Sequence, residues 1–416
     1  MRCASTLRLS ALVSFVVAVG ACSDSDGSEA SPPAPSPSST TEPTPGSSPP
    51  SETPAQPAAC PRVAKADDRT RKVVVSHPFG EDGSKANLYE VLELSSEGAL
   101  TRTNETFEMA RGLSEIAFTP DGEVGLVAQE DGSVGVFTFD AAGKVRVVHA
   151  AFTGQFYPSH VVVSRDGARA FLIDPQTANN GGGVHEVRIG CDGSLTYVGL
   201  TVPGGQAHAM ALLPTNPDRA VLVAGAAFDS ASGDYAHTLD LSMATPKRLA
   251  SGPVFGDSDA IASWVAVTPD GKWALVTDNG FAMGSRMAPV ALDTMKPAPT
   301  MTVANPAAVV MSPFGNAALL LESDGEDALR ALTYDPAETD APFTLGPEVA
   351  YKDGKKTELP LIAFAIDRGS LKGRVLVAEN QAVRQLVFAP DGAITDLGTT
   401  TFEGFTGIVG SLGVQP

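Results

Sequence analysis

The sequence predicts an all-β fold, a seven-bladed β-propeller whose blades are four-stranded antiparallel sheets. An apolar strand, a tight turn and a second apolar strand recur six times along the chain. Successive copies lie roughly 45 to 50 residues apart with further strands between them, a spacing typical of radial β-repeats. The six turns are Pro120-Asp121-Gly122, Arg165-Asp166-Gly167, Asn216-Pro217-Asp218, Pro269-Asp270-Gly271, Pro313-Phe314-Gly315 and Asp367-Arg368-Gly369.

The copy that begins at Leu113 shows how one blade is built. Its innermost strand, A, ends at Thr119, strand B covers 124–128, strand C alternates from Val134, and strand D covers 145–148. In the turn between A and B, proline presets φ, aspartate bonds its own backbone and glycine takes positive φ. The turn residues therefore have a structural explanation that needs no ligand.

The first blade lacks its own inner strand. Residues 73–76, 87–94 and 100–107 supply three strands, and we expect the C-terminal segment 408–414 to supply the fourth. Such a strand would close the ring and remove an exposed sheet edge. Six repeats and this composite blade predict one propeller domain over 60–416, although the length alone would suggest two or three domains.

The N-terminus has the pattern of an export signal. Arg2 and Arg8 precede a short apolar run that ends in Val19-Gly20-Ala21-Cys22. This ending resembles the lipobox of bacterial lipoproteins, which implies cleavage after residue 21 and acylation of Cys22, for example with palmitate. We expect anchorage to the cell envelope through this lipid alone, at the outer membrane or cell surface. The alternative is ordinary signal cleavage beside an incidental cysteine.

Residues 22–59 predict a disordered tether. Beyond Cys22 the segment contains no leucine, isoleucine, valine or aromatic residue and is rich in proline, serine and threonine, so it cannot bury enough apolar surface to fold. At about 3.1 Å per residue, an extended proline-rich chain of this length would reach on the order of 100 Å. The tether would hold the propeller well clear of the lipid.

The charge and motif content exclude several functions. The formal net charge is −19 and becomes −21 when the signal, with its two arginines, is removed. Such an acidic chain disfavours nucleic acid as a partner, and we expect a monomer. Fingerprints for dinucleotides, nucleotide phosphates, haem and catalytic zinc do not occur in the sequence. We therefore expect that no cofactor is required, with a bound calcium ion as the alternative.

Two cysteines remain in the mature propeller, Cys60 and Cys191. An exported domain allows them to form a disulfide. Their spacing does not decide between a bond and two free thiols, and both alternatives stay open.

The chain resembles the lactonase-like propellers, typified by bacterial 6-phosphogluconolactonase and the muconate-lactonizing cycloisomerases. Pro-Asp-Gly hairpins occur without the Gly-His and Trp-Asp marks of WD40 repeats, and the most similar segments are Asn87-Leu88-Tyr89, 96–101 and 114–127. The resemblance implies a pocket lined by histidines and an arginine at the starts of inner strands. His160 and His208 match two histidine positions, whereas Ala262-Ser263-Trp264 stands where the family has Pro-Arg-His.

Strand polarity places these histidines on one face of the ring, which we call the entry face. It carries the links that enter strand A and the B–C loops, while the opposite turn face carries the A–B and C–D turns. Long B–C loops at 174–183, 226–236, 278–288 and 323–328 make the entry face the expected binding face. Predicted ligand-binding residues there are Asp174, Asp278, Asn279, Glu322, Glu379 and Asn380. They could hold calcium or simply be solvated.

Three functions are compatible with these features. The first is an envelope lipoprotein that presents the propeller as a binding module for an unknown small molecule or envelope protein. The second is an exported lactone hydrolase or isomerase with a divergent site in which His160 and His208 are catalytic, and the third is a purely structural envelope protein. The two histidines could also serve only to hydrogen-bond the backbone at strand ends.

Overall fold

The computed structural model describes residues 60–416, except 61, 67, 81, 113, 177–181, 226–234, 257–259, 279–285, 324–326, 406 and 408. The predicted signal peptide, Cys22 and the tether lie outside the described residues, as do Asn279 and Ile408. Within the described part, the chain forms seven antiparallel sheets arranged as a propeller, which confirms the predicted fold class. The single helix among the described residues is the 3-10 turn Lys352–Gly354, so none found there is long enough to cross a membrane.

The first three blades, in chain order, contain the following strands. Blade 1 consists of β1 (Arg71–Phe79), β2 (Lys85–Leu94), β3 (Leu100–Glu108) and the C-terminal β29 (Ser411–Val414). Blade 2 consists of β4 (Ala117–Phe118), β5 (Val124–Ala128), β6 (Val134–Phe139) and β7 (Val145–Phe152). Blade 3 consists of β8 (His160–Val163), β9 (Arg169–Asp174), β10 (Gly183–Ile189) and β11 (Leu195–Pro203).

The other four blades repeat the pattern. Blade 4 consists of β12 (Ala207–Leu213), β13 (Asn216–Ala224), β14 (Tyr235–Asp240) and β15 (Lys247–Pro253). Blade 5 consists of β16 (Ala262–Val267), β17 (Trp273–Asp278), β18 (Arg286–Ala291) and an outer strand in two pieces, β19 (Lys296–Pro297) and β20 (Met301–Thr302). Blade 6 consists of β21 (Pro306–Met311), β22 (Ala317–Glu322), β23 (Ala328–Tyr334) and β24 (Phe343–Glu348). Blade 7 consists of β25 (Ile362–Ala365), β26 (Arg374–Glu379), β27 (Ala382–Phe388) and β28 (Ile394–Thr401).

The ring closes through the two ends of the domain. The C-terminal strand β29 pairs antiparallel with β1, with Val73 opposite Val414 and Ser76 opposite Ser411. The predicted closure by a C-terminal inner strand is confirmed, although the strand begins at Ser411. Closure leaves β29 as the inner strand of blade 1, so the sheet edge that β1 would expose is covered.

The A–B turns are held by their own side chains. In blade 2, Thr119 Oγ1 donates to Asp121 Oδ1 at 2.6 Å, and the same carboxylate oxygen accepts the backbone N–H of Glu123 at 3.0 Å. Gly122 follows with φ of 70°. Equivalent hydroxyl-to-aspartate bonds of 2.6 Å occur in blades 3 and 5. These turns therefore fix the hairpins without a ligand.

The core lies between neighbouring blades rather than at the centre of the ring. One buried cluster, for example, combines Val124 and Leu126 of blade 2 with Val161 and Leu172 of blade 3. Valine, leucine and alanine dominate such clusters because strands buried on both faces need compact apolar side chains. The inner strands are thus packed from the sides, and their open edges surround a central channel.

The described residues before β1, which are 60, 62–66 and 68–70, form a strap on the turn face. Cys60 is disulfide-bonded to Cys191 in the C–D turn of blade 3, with Cα atoms 5.3 Å apart. Arg62 forms a buried ion pair of 3.0 Å with Asp121 in the A–B turn of blade 2 and also donates to Gly190 O at 2.7 Å. The strap therefore joins the start of the domain to blades 2 and 3.

Candidate ligand-binding channel

The central channel contains a cavity of about 280 Å³ lined by the inner strands. Most of its lining residues are apolar in type, and they come from blades 2 to 7. The polar and aromatic side chains that line it are Glu115, His160, Trp264 and Phe364. A small cavity with apolar walls and few polar groups is the usual form of a ligand site.

Three of these side chains occupy equivalent positions in their blades. His160 pairs with Ile173, and Trp264 pairs with Thr277, in each case one residue before the acid that ends strand B. Glu115 stands two residues before Ala117, which pairs with Leu126, and so has the same register in blade 2. The entry-face ends of three inner strands therefore direct a carboxyl, an imidazole and an indole group toward one cavity.

His208 does not share this register. The pairing of β12 with β13 shifts between Ala207 and Ala209, so His208 lies in a bulge and Ala209 takes the position equivalent to His160. His160 and His208 both lie near the starts of inner strands, as predicted, but they do not occupy equivalent positions in the repeat. Ala209 lines the cavity where a larger side chain would reduce it.

Glu115 has an unusual electrostatic environment. Burial raises the pKa of its carboxyl group to about 8. Among the described residues, no hydrogen bond or ion pair reaches this carboxyl. The side chain is therefore mostly protonated and uncharged at neutral pH while it faces the cavity.

The histidines beside the cavity are also uncharged at neutral pH. Burial, together with the charge of nearby His208, lowers the pKa of His160 to about 4, although a hydrogen bond to the backbone of His208 acts in the opposite direction. Burial likewise lowers the pKa of His208 to about 4. His160 Nδ1 lies 3.1 Å from Ser159 Oγ, which fixes the imidazole ring.

Trp264 is held in one orientation. Its Nε1–H donates to Val309 O in blade 6 at 3.1 Å. The indole meets the His160 ring edge to face, with ring centroids 5.5 Å apart. The aromatic surface is therefore a fixed part of the cavity wall.

Four of the predicted ligand-binding acids contact side chains within their own blades, and the three contacts with arginine are ion pairs. Each ends strand B and contacts a basic side chain on strand C. The pairs are Asp174 with His185 at 3.5 Å, Asp278 with Arg286 at 2.6 Å, Glu322 with Arg330 at 3.0 Å and Glu379 with Arg384 at 2.6 Å. Because the partners lie in the same sheet, these acids serve to join neighbouring strands.

Three of these carboxylates also fasten the link that enters strand A. Asp174, Asp278 and Glu322 accept backbone N–H groups of that link at 2.8, 3.0 and 2.9 Å. Asn380, another predicted ligand, donates to Glu358 Oε2 at 3.0 Å. In the part of the chain that the structure describes, no three histidine, cysteine or acidic side chains are grouped to hold a metal ion.

Sequence reasoning missed Glu115 and the role of Trp264. A signal for both was present in the distance from the A–B turn. Counting back five residues from Pro120, Arg165 and Pro269 gives Glu115, His160 and Trp264. The equivalence is not evident when the blades are aligned at the starts of their inner strands, because the link before strand A differs between blades.

Comparison with known proteins supports the fold. No family model matches the chain, and no curated protein sequence matches it significantly. Among solved structures, a "putative 6-phosphogluconolactonase" from Bacteroides fragilis is 14% identical with a TM-score of 0.60, and the match covers 84% of this chain and 99% of that one.

Two further structures show the same similarity. The periplasmic gluconolactonase PpgL of Pseudomonas aeruginosa is 15% identical with a TM-score of 0.59 over 82% of this chain and 98% of that one. A protein from Lactobacillus plantarum is 13% identical with a TM-score of 0.62 over 83% and 99% of the two chains. This chain therefore shares its seven-bladed β-propeller fold with these structures.

Proposed function

We propose that this chain is an exported envelope lipoprotein whose propeller is a binding module for a small molecule, which it holds in the central channel. The unpaired carboxyl group of Glu115 in the channel cavity is the observation that carries this proposal. The Cys22 motif and the tether support lipid anchorage, and the resulting address is the outer membrane or cell surface.

The cavity has no evident structural purpose. Glu115 is half-buried in the cavity wall, where its carboxyl group is costly to ionise because burial penalises the charged form and no partner among the described residues offsets this. A hydrophobic residue at position 115 would pack the channel at lower cost. Groups that reduce stability in a cleft are candidates for function.

The size of the cavity limits the ligand. A volume of about 280 Å³ lies at or below the lower end of pockets that hold drug-sized molecules. The ligand is therefore smaller than a typical drug and occupies the channel that the inner strands surround. A whole envelope protein would instead contact the loops of the entry face.

Blocking the channel tests this proposal. Ala209→Trp places a large side chain in the cavity at the position equivalent to His160. We would measure thermal shifts of the full chain, purified in detergent, against a panel of small lactones, polyols and amines. Ligands that stabilise the unmodified protein and have no effect on the Ala209→Trp variant would support the proposal, whereas equal stabilisation of both would contradict it.

A second candidate function is lactone hydrolysis, which is favoured by the presence of both Glu115 and His160 in the lining of one cavity. A carboxyl group protonated at neutral pH can serve as a general acid, and a neutral imidazole can serve as a general base. Among the described cavity-lining residues there is no lysine or arginine. This composition favours an uncharged lactone over one that carries a phosphate or carboxylate.

Proton release by the full chain with a panel of lactones, with and without calcium, would test the second candidate. If the chain hydrolyses a lactone, Glu115→Gln and His160→Gln should each lower the rate of proton release by at least tenfold. A rate that neither substitution changes would remove these residues from the reaction.

A further inference from the structure

We propose that the ligand of the central channel is a small organic ammonium cation, held by the carboxylate of Glu115 and the aromatic rings of Trp264 and Phe364. This inference rests on the proposed binding function and names the class of ligand. It excludes anions, metal ions and uncharged molecules as the preferred ligands of the cavity.

The charge available in the cavity has one sign. Glu115 is the acidic group among the described lining residues, and none of those residues is a lysine or arginine. His160, the other titratable side chain there, is kept uncharged by its burial. The backbone carbonyl of His208, in the next blade, accepts a hydrogen bond from Ser159 Oγ at 3.4 Å, and the His208 imidazole is likewise uncharged. A cation would meet a carboxylate without competition from a basic residue.

The aromatic side chains provide the second contact. Ammonium groups are attracted to the faces of aromatic rings, and indole gives the strongest attraction among the amino acids. Trp264 is fixed by its hydrogen bond to Val309 O, and Phe364 lines the same cavity from blade 7. A rigid indole and a phenyl ring beside one acid are the chemistry that recognises alkylated ammonium groups.

The remaining walls favour an organic cation over a metal ion. Valine, alanine and methionine side chains, among them Met210 and Met311, supply most of the lining. Calcium needs six to eight oxygen ligands, and the described lining residues offer one carboxyl group and no grouped acids. Alkyl substituents on an ammonium group would instead pack against these alkyl side chains.

Binding would be coupled to release of a proton. In the absence of a cation, desolvation by burial keeps Glu115 protonated, because it raises the pKa of the carboxyl group to about 8. A bound cation stabilises the ionised form, so the carboxyl proton leaves as the ion pair forms. The strongly acidic chain, with a formal net charge of −19, would also attract cations toward the ring.

The test compares cations with an uncharged molecule of the same shape. Titration calorimetry of the full chain in detergent would use tetramethylammonium, choline and the uncharged carbon isostere of choline, 3,3-dimethylbutan-1-ol. We expect choline or tetramethylammonium to bind at least tenfold more tightly than the isostere. Repeating the titration in buffers of different ionisation enthalpy should show proton release.

Three variants separate the contributions. Glu115→Gln, which keeps the shape of the side chain, should weaken cation binding at least tenfold and abolish proton release, and Trp264→Leu should weaken it severalfold. Glu123→Gln is the matched control, because this exposed carboxylate pairs with Lys65 outside the channel. It should leave binding unchanged.

The outcomes distinguish this inference from the proposed function. If choline and its isostere bind equally and Ala209→Trp blocks both, the ligand class proposed here is wrong, but the channel is still a binding site. Cation binding that survives Ala209→Trp would place the site elsewhere and overturn the inference. Absence of binding by both cations would overturn it too, and the wider panel described above would then decide whether the channel binds any ligand.

Discussion

Glu115 and His160 occupy the same register position in neighbouring blades, and both line the central cavity. The repeat thus places an acid and a base side by side at the entry-face ends of two inner strands. Both are uncharged at neutral pH, but burial moves their pKa values in opposite directions. Each group therefore leaves its own signature in the pH dependence of stability.

Glu115 is expected to make the protein less stable as pH rises from 4.5 to about 8. Its folded-state pKa is raised, so its contribution is fully present below the unfolded value and is lost as pH rises through the folded value. Glu115→Gln should match the unmodified protein near pH 4 and exceed its unfolding free energy by on the order of 2 to 4 kcal/mol at pH 9. Urea unfolding at a series of pH values measures this difference.

The same titration of Glu123→Gln provides the control for Glu115. This substitution removes an exposed carboxylate with a single ion-pair partner, so it should change stability by less than about 1 kcal/mol. Parallel stability curves for Glu115→Gln and the unmodified protein would show that Glu115 does not titrate in the predicted way.

His160 and His208 are expected to make the protein less stable in acid. Their folded-state pKa values are lowered to about 4, so the unfolded chain takes up protons first as pH falls from 6.5. Their contribution is present above pH 6.5 and is lost as pH falls through about 4. The His160→Gln/His208→Gln variant should lose less stability between pH 6.5 and 4 than the unmodified protein.

Local turn chemistry explains why the fold could be predicted. The A–B turns of blades 2, 3 and 5 are specified by a hydroxyl and an aspartate that bond to one another, as Thr119 does with Asp121, so these hairpins can be predicted from the sequence. The closing strand could be inferred because blade 1 lacked an inner strand. The register of the channel-lining residues was harder to predict. The bulge at His208 depends on how β12 pairs with β13, and no sequence motif indicates it.

The acids on the entry face show why the site was harder to predict than the fold. Asp278 and Glu322 end strand B as polar residues beside loops, a pattern that also describes ligand sites. Their partners Arg286 and Arg330 follow eight residues later on strand C, but strand pairing alone reveals that they meet. Whether a carboxylate is paired thus depends on the loop between the strands, which sequence spacing does not fix.

The disulfide of the strap is expected to stabilise the ring. Cys60 and Cys191 are 131 residues apart, so their bond restricts a long segment of the unfolded chain. Cys60→Ser/Cys191→Ser should lower the free energy of unfolding by roughly 2 to 4 kcal/mol. Reductant should destabilise the unmodified protein by a similar amount and have no effect on the variant. An equal response of both proteins to reductant would contradict this role of the bond.

Arg384 is expected to be essential for stability and dispensable for ligand binding. It lies buried between Glu379 at 2.6 Å and Asp396 at 2.7 Å, and Thr357 donates a short hydrogen bond to Glu379. Arg384→Met leaves two buried carboxylates without their cation, so it should cost roughly 3 to 5 kcal/mol.

Lys65→Met offers a matched comparison for Arg384, because it breaks an ion pair whose two side chains are 43% and 50% exposed. Its cost should stay below about 1 kcal/mol. Affinity for a channel ligand, measured where each variant is folded, should be the same in Arg384→Met and Lys65→Met as in the unmodified protein. An ion pair that holds two strands together cannot be broken without weakening the blade. If Arg384→Met instead lost affinity while its stability stayed unchanged, Glu379 and its partners would belong to the ligand site.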